Sequence, residues 1–294
     1  MLDDAASLEP AEHCPTTMRS NLVLACCLAV AASVSQAARA DDFFARDAQT
    51  PSPITDHFAL RASFFHAAVE TDLRLDDPGV PLSGTALSGT HDLGFKPSEN
   101  DGVAELMFRL RERNRVTVDF LELDQSGSRT LTQPVLFGNQ VFAPGDVLNT
   151  TLQWREMGFA WSYAILQNDR FELGAGLAVH MMDLDVRGEV PAKFANYENS
   201  ISGALPAPVL ESAVRITRRF SFTARAQYLK GALNSTFGEF EDVHADLQFR
   251  WVPNLALGAG YSLLRLKLDS VTRSNPGLVG MRLRGPQVFV RASF

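Results

Sequence analysis

The sequence predicts an all-β chain: an antiparallel up-and-down barrel of about ten strands, with eight or twelve also compatible with the spacing. Three observations predict it. Apolar and polar residues alternate with a period of two through most of residues 57–294, no helical period competes, and the connections alternate between short and long.

Residues 1–40 read as a leader. The longest apolar stretch, NLVLACCLAVAASVSQAARA (21–40), follows Arg19 and closes on Ala38-Arg39-Ala40, the parts of a secretory signal with a small-x-small cleavage site. The residues before Met18 carry Asp3, Asp4, Glu9 and Glu12, which make a poor basic n-region, so translation is expected to start at Met18. A buried core helix is the competing reading of the stretch. Cys26 after VLA resembles a lipobox cysteine, but from Met18 only four apolar residues would precede it, too few for a signal core. Cys14, Cys26 and Cys27 all fall in the leader, so the exported chain would hold no disulfide and must rely on backbone pairing. Net charge is -7 for the whole chain. The leader takes four acids and two bases with it, which leaves -5 and no basic patch for nucleic acid.

Residues 41–56, ending in DAQTPSPITD, read as a periplasmic linker, and 57–294 as the barrel domain. Strands are expected at roughly 57–76, 102–112, 115–131, 146–166, 170–187, 207–217, 219–230, 240–252, 255–270 and 280–294. The clearest is VHADLQFRW (243–251), with Val243, Ala245, Leu247, Phe249 and Trp251 on one face and His244, Asp246, Gln248 and Arg250 on the other. Short turns fall at RERNR, QNDR, TRR and VPN. Longer connections fall at 77–101, around LFGNQVFAPGD, at 188–206, 231–239 and 271–279. Tight turns at one end and long loops at the other are the habit of outer-membrane barrels, with the tight turns in the periplasm.

Alternation does not say which face is buried, since a soluble barrel would turn its apolar face inward. Full charges at mid-strand (Asp119, Glu211, Arg225, Asp246) fit either case. Aromatics near the tight-turn ends (Phe58, Tyr163, Phe171, Phe220, Trp251, Phe294) resemble an interfacial girdle. The last strand, VFVRASF, has Val288, Val290, Ala292 and Phe294 on one face, and in an open soluble sheet it would be an unprotected edge. Lipid on the apolar side explains both. The stretches AELMFRLRERNRVTVDF, NDRFELGAGL, RRFSFTARAQYLKG and HADLQFRWVPNLALGAGY resemble a family of proteobacterial outer-membrane β-barrels, most of them uncharacterised. The resemblance spans about residues 57–294 and implies export to the outer membrane, contact with its lipid and lipopolysaccharide, and assembly through a C-terminal signal ending on Phe294. It carries no catalytic motif.

In four rising strands the alternation reverses phase at an apolar doublet: Phe64-Phe65, Phe120-Leu121, Met181-Met182 and Leu263-Leu264. A bulge adds one residue and resets the alternation, so bulges at one level are expected there. On that reading the charges beyond them (Glu70, Asp72, Arg74; Glu122, Asp124; Asp183, Asp185, Arg187; Arg265, Lys267, Asp269) face inward.

The expected lumen network comprises Glu211, Arg225, His244, Asp246, Asp119 and Arg109, with Arg225 opposite Glu211 and beside His244 or Asp246. No catalytic, cofactor or metal site is expected. His66, His180 and His244 fall on inward positions of distant strands, where polar lumen roles outweigh convergence on a metal. Asp183 and Asp185 supply rim acids without a neighbouring histidine, so a protease arrangement is not evident, nor is a serine-histidine-acid set or a glycine-rich phosphate loop. Two functional classes stand ahead of an outer-membrane hydrolase or protease. One is a monomeric structural or surface-interaction barrel whose loops meet lipopolysaccharide, a host surface or a protein. The other is a narrow channel or small-solute binder. Mixed charge in about ten strands favours the first, because open aqueous pores use about 16 to 18 strands. VLFGNQVF is expected to make a tall hairpin turning at Gly138-Asn139.

Overall fold

A computed structural model describes residues 51–77, 80, 82–233, 236–270 and 277–294. The leader, its cleavage site and the cysteines lie outside the described residues. The strands are β1 (Phe58–Leu75), β2 (Leu87–Ser88), β3 (Ser98–Arg111), β4 (Asn114–Thr130), β5 (Val135–Phe137), β6 (Gln140–Phe142), β7 (Val147–Gln167), β8 (Phe171–Val190), β9 (Ala195–Arg215), β10 (Phe220–Leu233), β11 (Thr236–Val252), β12 (Leu255–Ser270) and β13 (Gly277–Ser293). Ten of them pair antiparallel with their sequence neighbours in the order β1-β3-β4-β7-β8-β9-β10-β11-β12-β13, and β13 returns to β1. That last pairing leaves no free sheet edge, which is how a barrel satisfies every backbone group in lipid. At the seam, the Phe294 carbonyl accepts from the amides of His57 and Phe58.

The four apolar doublets are not bulges. Phe64 faces Val288 and Phe65 faces Gln287 in an unbroken β1–β13 register, and β4–β7, β8–β9 and β11–β12 run equally unbroken through theirs. The register shifts instead lie beside tight turns, between Arg109 and Arg111, Ala164 and Leu166, and Arg250 and Val252. Inward and outward positions therefore keep their parity along the whole strand, and the chemistry of both faces changes. Below the doublets the outer wall is apolar and exposed (Phe120, Phe159, Leu177, Phe222, Leu247, Val288), while the inside is charged. Above them Val69, Leu73, Leu123, Leu184, Leu266 and Leu283 are buried inside, and Glu70, Asp72, Asp124, Asp183, Arg187 and Arg265 point outward.

The physical reason is length. β7 and β9 run for 21 residues each, roughly 70 Å along the strand at 3.3 Å per residue. The lipid-facing band of an outer-membrane barrel is only about 25 Å tall. Where the wall leaves lipid for water, the outside must become polar. The inside is then free to pack as the core of a soluble barrel. A bulge and a change of surroundings leave the same imprint on a sequence.

The expected loop at 188–206 is mostly strand. β8 and β9 pair from Phe171–Val214 up to Val190–Ala195 and turn through a single 3-10 turn, Pro191–Lys193, with Phe194 at φ 51°. This is the tall outer hairpin. β5 and β6 do form a hairpin about Gly138, at φ 63°, but it lies on the core. Phe137 and Phe142 are fully buried, Phe137 stacks edge-on to Tyr197 at 5.6 Å, and the Gly138 amide donates to the Leu75 carbonyl. Leu87, Leu93 and Phe95 from the first outer loop join the same core.

Candidate functional site: the sealed lumen

Inward polar side chains are stacked in three tiers. The lowest is closed by residues 51–56, part of the stretch 41–56 expected as a periplasmic linker. They fold into a turn in which the Thr55 and Asp56 amides donate to the Ser52 carbonyl, and Ser52, Ile54 and Asp56 are buried. The Asp56 carboxylate takes Arg250 at 2.7 Å and Arg291 at 3.4 Å. Arg109, one of the expected lumen residues, donates to the Pro53 carbonyl and holds Glu172 at 2.9 Å; Arg115 also bonds Glu172. The chain thus corks its own lower end with a carboxylate set among arginines.

The middle tier is built round Arg225, which strand parity aims inward from β10. Glu211 is its register partner on β9, and His244 on β11. Arg225 Nε donates to Glu211 at 2.9 Å, but its second carboxylate is Glu105 of β3, at 3.1 Å across the lumen, with Asp119 at 4.0 Å. Asp246 is not a partner of Arg225. It is fully buried and taken by Arg61 at 2.7 Å, which barrel closure brings to it, and by Gln287 at 2.8 Å, which reaches it over Gly260 of β12. Arg115 also reaches Glu211 at 3.2 Å, and Ser162 donates to the same carboxylate at 2.7 Å. Breaking such a pair by removing one partner typically costs about 3–5 kcal/mol, because a charge is left behind without its counterion.

The upper tier lies directly beneath the apolar storey. His180, the inward residue before the Met181-Met182 doublet, meets Glu156 Oε1 through Nδ1 at 2.7 Å and Gln227 Oε1 through Nε2 at 2.7 Å. Gln227 in turn donates to Asp242 at 3.1 Å. The imidazole lies 4.3 Å from the ring of Phe240, which begins the apolar core above. A cavity of about 70 Å³ separates the tiers, lined among others by Glu105, Asp119, Glu156, Arg225, Asp242 and His244. The three histidines read as inward-facing lie apart, and one of them is not inward. His66 faces outward and bonds Asn100 at 2.6 Å, while His180 and His244 belong to different tiers. Glu105, Glu156, Glu172, Arg61, Arg115 and Gln227 were not singled out by sequence reading. Parity of their strands was the available signal, and cross-lumen partners lie outside any parity rule.

A closed ten-stranded barrel with an apolar outer belt and a charged interior defines a bacterial outer-membrane β-barrel protein, resident in that membrane. No family model matches the sequence, and no curated protein matches it. Among solved structures, the chain is similar to the outer membrane protease OmpT of Escherichia coli, with TM-score 0.52 and 9% identity over 83% of this chain and 98% of that one. Looser likenesses are the Yersinia pestis attachment invasion locus protein Ail (TM-score 0.36, 10% identity, 79% of this chain and 99% of that one). Another is the Ralstonia pickettii toluene transporter TbuX (TM-score 0.38, 8% identity, 83% and 91%). At these identities the likeness is one of fold.

Proposed function

We propose that this protein is a sealed, monomeric structural or surface-interaction barrel, whose water-facing upper wall and loops meet lipopolysaccharide, a host surface or a protein partner. It is neither a pore nor a hydrolase. The observation that carries this reading is that every storey of the lumen is occupied by side chains, with a small cavity between the polar tiers. Asp56 and its arginines occupy the bottom, the Arg225 tier the middle, the fully buried Trp154 and its apolar neighbours the upper storey, and the β5–β6 hairpin the top. Ion pairs such as Arg155–Asp185, Arg187–Glu198 and Arg284–Glu70 clothe the outer wall above the lipid level, as expected of a surface that works in water. The membership in an uncharacterised proteobacterial barrel family, and export and assembly through the leader and the Val288, Val290, Ala292, Phe294 strand, belong to the same reading.

Planar-bilayer recording tests it. Purified barrel should insert without steady conductance. Stable ion or solute flux through the intact chain would replace this reading with the narrow-channel one.

A further inference from the structure

We propose that Asp119, Glu156 and His180 form a buried site for one divalent transition-metal ion of the zinc class, on the inner face of the neighbouring strands β4, β7 and β8. One nitrogen and two carboxylate oxygens from these residues lie within 4.8 Å of one another. Imidazole and carboxylate are the donors such an ion takes, and three protein ligands leave a coordination position for water. The neighbouring cavity, lined by Asp119 and Glu156, is where that water fits.

Three independent observations point to a cation. Glu156 is buried, yet its Oε2 has no hydrogen-bond partner, so one carboxylate oxygen faces the site unsatisfied. Leaving such an atom bare costs free energy that a ligand recovers. Second, carboxylates outnumber cations in this tier. Asp119, Glu156 and Asp242 surround one imidazole, and Arg225, 4.0 Å from Asp119, already holds Glu211 and Glu105. Third, the outer shell is in place. Gln227 gives its amide nitrogen to Asp242, which turns its oxygen toward His180 Nε2. That oxygen accepts the Nε2 proton and leaves Nδ1 as the ligating atom, on the side of Glu156. Metal-ligating histidines are commonly oriented by such a partner on the far nitrogen. Binding exchanges the Nδ1···Glu156 hydrogen bond for two metal bonds and releases any proton held there.

Because the lumen is sealed, the metal should be supplied during refolding of the untagged full barrel. Cobalt(II) serves as the probe. One equivalent per chain should give a visible ligand-field band that zinc displaces, and zinc should raise the unfolding temperature. His180→Ala and Glu156→Gln should lose the band. Gln227→Leu, which removes no ligand, should weaken binding about 10- to 100-fold. His66→Ala, on the outer wall, should change nothing. Folding of each variant is read from heat-modifiable mobility, and if His180→Ala does not fold, the Gln227→Leu affinity decides. Absence of a band in the wild-type barrel at saturating cobalt overturns the site, as does a band that survives unchanged in Gln227→Leu or Glu156→Gln.

Discussion

Arg225 shows how much rests on single side chains in a closed lumen. Its planar fork offers five donors, enough to hold Glu211, Glu105 and the Thr117 hydroxyl together. Arg225→Ala leaves the buried Glu211 and the half-buried Glu105 without the cation between them, so the unfolding temperature at neutral pH should fall by the equivalent of about 3–5 kcal/mol, less where water enters the gap. Adding Glu211→Gln should restore part of it, with a coupling of about 0.5–3 kcal/mol in a double-mutant cycle. Asp246→Asn should couple to Arg61 and not to Arg225, since Asp246 belongs to Arg61. Coupling between 225 and 246, with none between 225 and 211, would contradict the lumen pairing described above.

Hairpins decide the outer end. Gly138 occupies the left-handed region, and a Cβ there would lie 2.1 Å from the Tyr197 ring. Gly138→Val should therefore lift the β5–β6 hairpin from the core, seen as faster amide exchange at Leu136 and Val141 while the β8–β9 amides stay protected. Unchanged exchange would mean that the hairpin is not held by this contact. The β8–β9 tip is clasped by Lys193 to Asp146 at 2.7 Å, and Asp146 also accepts from the Ala143 amide at 2.8 Å. These bonds hold its carboxyl below the usual carboxylate range, Lys193 first. A depressed pKa means that the clasp is fully present above the ordinary aspartate value and is lost as pH falls through the lower, folded one. Exchange at the tip should accelerate only under strongly acidic conditions in the wild type. In Lys193→Ala the acceleration should begin at higher pH; coincident profiles would remove the clasp from the account.

At the scale of the whole barrel, the doublets mark the height at which lipid gives way to water. In a tryptophan-free background, Val288→Trp, level with Phe64 at the top of the apolar belt, should be quenched by lipid-borne nitroxide, whereas Glu70→Trp, six residues up the wall from Phe64, should be quenched by aqueous iodide. Equal lipid quenching at both positions would mean that lipid reaches above the doublets. The seam gives a second test. Phe294 closes the barrel through its backbone bonds to Phe58 and packs against the Phe58 ring at 6.3 Å. Phe294→Asp should lower the yield of folded, heat-modifiable barrel in cells more than it lowers the unfolding temperature of the barrel that does assemble. Equal yields would separate closure from assembly.

The sequence by itself determined the strands, their sequential antiparallel order, the tight turns and the parity that places Arg225 opposite Glu211. All of these follow from a period of two and short connections, which are local. Only the tertiary structure decided what each face meets. A reversal of chemistry at Phe64-Phe65 reads the same whether the strand slips by one residue or leaves lipid for water, and the unbroken pairing with Val288 and Gln287 settles it. It also decided which charges meet across the lumen. Arg61 and Asp246 are 185 residues apart, and Arg109 and Glu172 are 63 apart. The first pair exists because β13 returns to β1, and the second because the sheet curves enough to bring β3 and β8 within reach over two intervening strands. The upper tier of Glu156, His180 and Asp119 comes instead from three adjacent strands, β4, β7 and β8, whose registers set Asp119 and His180 on either side of Gly158.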